Sequence, residues 1–302
     1  MGLFQLANTM RLIRNHPAMP FWKGATRHLA WQARKLAGRF PCEIPLGDSR
    51  LLVAGRRVAR GPAALVNCME LYDHNNMGLL RQILHEGLAR RVFDIGANIG
   101  VYTLLLSENP EVEVAAFEPH PVTYRMLQEN IRHNGRANAT GWQLALSDRG
   151  GVLNFSDVPG SPVNHVVGGT GELQQERSDC TTAPGKDERQ PTLRVESVRG
   201  DDFCQLHGFQ PEVIKLDVEG HEPAVLAGLT ETLRHVGLIV VETEGREQPV
   251  DRILCQARLS GPWACDFNHQ RFNPHTSHAE DPIYLSNDFR ERLESLGYRF
   301  AD

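Results

Sequence analysis

From Arg91 onward the chain alternates short apolar runs with amphipathic stretches. RVFDI (91–95), EVAAF (113–117), VIKLD (213–217) and LIVVE (238–242) lack the strict apolar–polar alternation of a half-exposed strand. They read as strands buried on both faces of a parallel sheet. Helical patterns fit between them, notably over 99–107 and 121–133, and a third strand runs to about Ala145. Strands alternating with helices predict a doubly wound α/β fold. Upstream, residues 1–40 read as helical, with Phe21, Trp22, Leu29, Trp31 and Leu36 among cations and Pro41 as a stop, and 44–70 as short strands and turns. The expected division is an N-terminal helical and stranded extension over 1–64 and an α/β domain over 65–302. Residues 156–192 break the pattern: rich in Gly, Pro, Ser and charge, they are expected to form a flexible insertion or lid.

Composition narrows the class. With 302 residues, 41% hydrophobic and 23% charged, the chain can bury a large core, and no window is apolar enough for a membrane span. Six scattered cysteines without a C-x-x-C pair argue against a zinc ribbon or disulfide scaffold, so reduced, structural thiols and a cytoplasmic protein are expected. The net charge of -5 hides an asymmetry: seven cations precede the first acid, Glu43, leaving -12 for the remainder. A basic leader with interleaved aromatics suggests peripheral contact with an anionic surface, such as the inner membrane leaflet.

The most informative residues are Asp94-Ile-Gly96-Ala-Asn98-Ile-Gly100, at a predicted strand-to-helix turn. Gly96 permits a tight turn and Gly100 close packing of the new helix, so a ligand there meets backbone. The G-x-x-x-G spacing differs from the dinucleotide fingerprint, and Asp94 would repel a pyrophosphate. It suits S-adenosylmethionine, which brings an ammonium and a sulfonium. Glu118, 22 positions after Gly96, stands where an acid accepts from ribose hydroxyls, and Pro119 helps fix the turn. Leu146 is placed to pack on an adenine, and Ser147 or Asp148 to accept from its amino group.

VFDIGANIGVYTLLL, AFEPHP, LALSDRGG, VNHV (163–166) and VIKLDVEGHEPAVLAGL followed by LIVVE resemble the FkbM-type family of S-adenosylmethionine-dependent methyltransferases. The resemblance covers about residues 65–242. It implies a Rossmann-like class I methyltransferase fold and O-methylation of a sugar, glycolipid or secondary metabolite. Residues 167–191 and those after 245 depart from the family pattern, and these would define the acceptor.

Methyl transfer needs in-line alignment, and an alcohol must also lose a proton. Lys215, Asp217 and Glu219 share one face if the fourth strand stays extended, at the sheet edge where such folds bind ligands. They are the candidate catalytic residues with His221 and, through the family's loop, His165. Lys215 and Asp217 also suit a structural ion pair. Asp217, Glu219, His221 and Glu242 could surround a divalent cation, but their spacing fits no standard motif and no metal is expected. A nicotinamide-dependent oxidoreductase and a non-catalytic module of the same fold are the alternatives. Absence of a D/N-P-P-Y motif disfavours nucleic acid as substrate.

Overall fold

The computed structural model describes residues 3–56, 58–157, 164–167, 191–243, 247–276 and 281–301. Two helices, α1 (Leu3–Asn15) and α2 (Phe21–Leu36), lead into a hairpin of β1 (Cys42–Leu46) and β2 (Ser49–Val53), then α3 (Pro62–Met69) and α4 (His74–His85). The α/β part continues with β3 (Arg91–Ile95), α5 (Val101–Leu106), β4 (Glu113–Phe117), α6 (Pro121–His133) and β5 (Ala139–Trp142). Next come β6 (Ala145–Ser147), β7 (Gly151–Ser156), β8 (Thr192–Arg199), α7 (Gly200–His207), β9 (Val213–Leu216), α8 (Glu222–Ala227) and β10 (Leu238–Val241). The chain ends with α9 (Glu247–Gln256), β11 (Ser260–Asp266), β12 (Arg271–Pro274), β13 (Ile283–Leu285), α10 (Asn287–Ser295) and β14 (Arg299–Phe300).

The large sheet has the order β14-β12-β11-β13-β10-β9-β3-β4-β5, with β5, β4, β3, β9 and β10 parallel and β13 antiparallel to β10. The order reverses between β3 and β9, the switch point at which open α/β sheets bind ligands. Both faces are covered. Val92, Val114, Val213 and Val240 pack against α4, α5 and α6. Phe93, Phe117, Ile214 and Val241, from the alternate positions, pack against Phe203, Val225 and Leu254 of α7, α8 and α9. This is the doubly wound arrangement that the apolar runs predict.

Three expectations need correction. The third strand does not run through to Ala145: β5 ends at Trp142, and β6 leaves to join β8 and β7 in a separate three-stranded sheet. Residues 62–69 are helical, because Pro62 at the first turn and an apolar run of Ala63, Val66 and Met69 favour a buried helix. The expected boundary between 64 and 65 falls inside that helix. Most of the proposed 156–192 insertion lies outside the described residues. No described helix is long and apolar enough to cross a membrane.

The hairpin is held to the α/β part by two asparagines of α6. Asn130 accepts from the Leu52 N–H (2.7 Å) and donates to the Ile99 carbonyl (2.9 Å), while Asn134 accepts from and donates to Arg50 (2.7 and 2.8 Å). One helical turn separates the asparagines and two strand residues separate their partners, rises of about 6 and 6.7 Å that nearly match. Asn130 is buried, so Asn130→Ala would strand the half-buried Leu52 N–H and the buried Ile99 carbonyl. It is expected to cost about 2–4 kcal/mol, read as a lowered midpoint in urea unfolding with unchanged slope.

Candidate active site

The carboxyl ends of β3, β4 and β9 open into a cleft lined by Asp94, Gly96, Asn98, Glu118, Pro119, Leu146, Lys215, Asp217, Glu219 and His221. Backbone geometry makes it. Gly96 has φ +81, and a Cβ there would lie 1.7 Å from the Asp217 carbonyl oxygen, so only glycine lets the first turn sit against the end of β9. Gly100, at φ +92, does not touch the cleft. A Cβ there would meet Leu127 of α6 at 2.8 Å, so this glycine fits helix to helix rather than backbone to ligand.

Asp94 is buried, and one carboxylate oxygen accepts from the Thr103 hydroxyl at 2.5 Å. The other, Oδ1, has no hydrogen-bond partner among the described residues. Burial raises the Asp94 pKa to about 6, against the opposing pull of Lys215, its register partner on β9. Glu118 is buried likewise, and its pKa is raised to about 7 by desolvation. Its two oxygens accept separately from the N–H groups of His120 (2.9 Å) and Asn98 (3.0 Å), which fixes the carboxylate across both loops. Asn98 takes a left-handed φ of +52, a conformation asparagine tolerates. An acid kept ionisable beside an orphaned oxygen fits a cationic or multiply donating ligand.

On the far wall β9 stops at Leu216, and Glu219 has φ +54, so the extended conformation that would align Lys215, Asp217 and Glu219 does not persist. The turn still gathers acids: Asp217, Glu219 and Glu242 bring one carboxylate oxygen each within 4.8 Å of the others, with His221 outside that group. Lys215 pairs with Asp217 at 2.7 Å. Burial opposes the Lys215 charge, but Asp217, Asp281 and Tyr72 outweigh it and raise its pKa. Glu222 is fully buried and accepts from the N–H groups of Val218 and Gly220 (3.2 and 3.0 Å), holding the turn.

His221 occupies the N-cap of α8 but makes no capping hydrogen bond with its side chain. Its Nε2 lies 2.9 Å from the Ser147 hydroxyl, which donates to Asp148 at 3.0 Å. Burial lowers the His221 pKa. Ser147 is thus a buried support for His221, not part of the cleft wall, whereas Leu144, Ala145 and Leu146 line it. His165 is likewise displaced from its expected place. Its backbone pairs with Ser156, and its neighbours Asn164 and Val166 line the cleft instead.

Sequence reasoning missed Tyr72, Asp73 and Tyr102. Tyr72 and Tyr102 line the cleft, the Lys215 ammonium sits 4.9 Å above the Tyr102 ring, and the Tyr102 hydroxyl donates to Asp73. Burial raises the Asp73 pKa. A tyrosine two residues after Gly100, in the first turn entering the site, was the available signal.

A family model for the methyltransferase FkbM domain matches residues 94–300. Similar proteins include the hexuronic acid methyltransferase AglP of Haloferax volcanii, 31% identical over 188 residues, covering 60% of this chain and 69% of that protein. The 31-O-demethyl-FK506 methyltransferase FkbM of Streptomyces tacrolimicus is 32% identical, covering 46% of this chain and 59% of its own length. The 2-O-methyltransferase NoeI of Sinorhizobium fredii is 28% identical, covering 52% and 64%. The chain thus matches less than two thirds of the latter two.

Asp94 carries a stability consequence. Its folded pKa exceeds the unfolded value of 3.8, so the folded state holds this proton more tightly. Stability is therefore highest below the unfolded value and falls as pH rises toward about 6, where a penalty of at most about 3 kcal/mol is reached. Asp94→Asn keeps an acceptor for Thr103 and removes the charge. Calorimetric scans should show it melting above wild type at about pH 8 and losing that advantage near about pH 4.

Proposed function

Because the chain belongs to the FkbM methyltransferase family, we propose that it transfers the methyl group of S-adenosylmethionine to a hydroxyl of a sugar, glycolipid or related small molecule. The observation that carries the donor half is the unpartnered Asp94 oxygen, buried in a cleft against a glycine turn. An ammonium is the group that relieves it, whereas a pyrophosphate would be repelled. Glu118, held by two backbone N–H groups, keeps lone pairs for ribose hydroxyls, and Leu146 offers an apolar surface to the adenine. The donor, when bound, supplies an electrophilic methyl on a sulfonium.

The acceptor half rests on charge. A carboxylate acceptor would meet Asp217, Glu219 and Glu242, with the Lys215 charge already engaged by Asp217. A hydroxyl can donate to those oxygens and be oriented by them. Neutral His221 takes the hydroxyl proton on Nδ1 while Nε2–H donates to Ser147 and Ser147 to Asp148, a chain that steadies the imidazolium as it forms. Asp217 and Glu219 then act as orienting groups more than as bases. The names of the O-methyltransferase relatives support this reading.

Two measurements test it. Asp94→Asn and Glu118→Ala should each weaken S-adenosylhomocysteine binding in calorimetry by about 10- to 100-fold. Unchanged affinity would refute the donor site. With labelled S-adenosylmethionine and uronic-acid-containing or neutral glycans, the product should be an alkali-stable ether, and His221→Gln should slow single-turnover transfer by about 10²- to 10⁴-fold. An alkali-labile methyl ester would move the acceptor from hydroxyl to carboxylate.

A further inference from the structure

Helix α2 departs from the usual rule for a surface helix. Its inner side is Gly24, His28 and Trp31, all buried. Trp31 is 1% exposed and donates its indole N–H to the Ala59 carbonyl. It is therefore core, which corrects its expected place among the surface aromatics. On the outer side Trp22, Leu29 and Leu36 recur every seven residues, 69%, 68% and 79% exposed. Thr26, Ala30 and Ala33 fill the positions between them. A helix face turned to water normally carries charge. This one carries none.

The charges lie beside it. Lys23, Arg27 and Arg34 form the adjacent stripe by helical spacing, and no acid occurs before Glu43. Arg27 is paired with Glu70, leaving Lys23 and Arg34 as the charges at the ridge's border. At the other edge, burial and then the nearby Arg60 and Arg56 lower the Lys35 pKa, so two exposed arginines from beyond the leader join the cluster.

We propose that this outer face of α2 docks the protein on a lipid bilayer bearing anionic headgroups. The apolar ridge enters the boundary of the acyl chains and the flanking cations meet the phosphates. A soluble acidic partner would use the cations and leave the ridge unexplained. A second copy of this chain would set two all-cationic leaders against each other, which like-charge repulsion opposes. Helix α2 rests on α3, whose start, at Gly61, Pro62 and Leu65, lines the active-site cleft. Docking therefore holds the cleft one helix away from the lipid contact, whatever the acceptor.

Flotation of the full chain tests this, with vesicles of phosphatidylcholine alone or in equal parts with phosphatidylglycerol. The protein should float with the anionic vesicles at low salt and be released at about 0.5 M salt. Trp22→Ser, Leu29→Gln and Leu36→Gln combined should lower partition by about 100-fold with the melting temperature unchanged. Lys23→Gln and Arg34→Gln should each lower it by about fivefold. The proposal is overturned if wild type fails to float, if it floats equally with phosphatidylcholine alone, or if the triple variant floats like wild type. A dimer in sedimentation that the triple variant dissolves, without vesicle binding, would instead make the ridge a self-interface.

Discussion

A first side-chain carbon at position 96 would sit 1.7 Å from the carbonyl oxygen of Asp217. That constraint sets the distance between the two halves of the site. With glycine there, the turn after β3 and the turn after β9 share one wall, so a donor resting on the first is within reach of groups carried by the second. Asn98 and Glu219, two residues beyond the points of closest approach, both adopt left-handed backbone. Glu118 and Glu222 then fix the two turns through paired backbone N–H groups.

The same closeness concentrates charge. Asp94 and Lys215 are register partners on adjacent strands, and Asp217 follows Lys215 by two residues. None of these groups lowers the folding free energy by being buried; a hydrophobic trio of similar volume would often be as stable. On the proposed reading, the polar arrangement preorganises acceptors for a cationic ligand and a hydroxyl. Lys215 is buried with its ammonium over the Tyr102 ring, and the low polarity of that setting strengthens each of these interactions.

Much of this was legible in the sequence, for a definable reason. Strands buried on both faces announce themselves as apolar runs, and a tight strand-to-helix turn announces itself as glycines beside acids, so β3, β4 and β9 and the gathering of Asp94, Gly96 and Glu118 at one cleft could be read directly. Residues whose role depends on tertiary neighbours could not. Ser147 looked like an acceptor for the adenine amino group because nothing local reveals that α8 packs on β6 and brings His221 behind it. Asp73 looks like a helix cap, yet its side chain makes no capping bond and serves Tyr102 instead. His165 lost its place to its neighbours because strand alternation was unknowable until β7 supplied the bridge at Phe155 and Val166. The split of the third strand was hidden because its two pieces are short and only two residues apart in the chain.

The asparagine pair on α6 has a consequence for how this molecule behaves in a crowded solution. A two-stranded hairpin presents two open edges, each a template for a strand from another chain. On β2 the outward N–H groups at Arg50 and Leu52 are already taken by Asn134 and Asn130. On β1 the register sets Pro45 opposite Arg50, so the outward position there has no N–H to offer, and Glu43 adds a charge beside it. Strand addition is opposed on both edges, by occupied N–H groups on β2 and by the proline and charge on β1. The hairpin is thereby a poor template for cross-β association between copies of the protein.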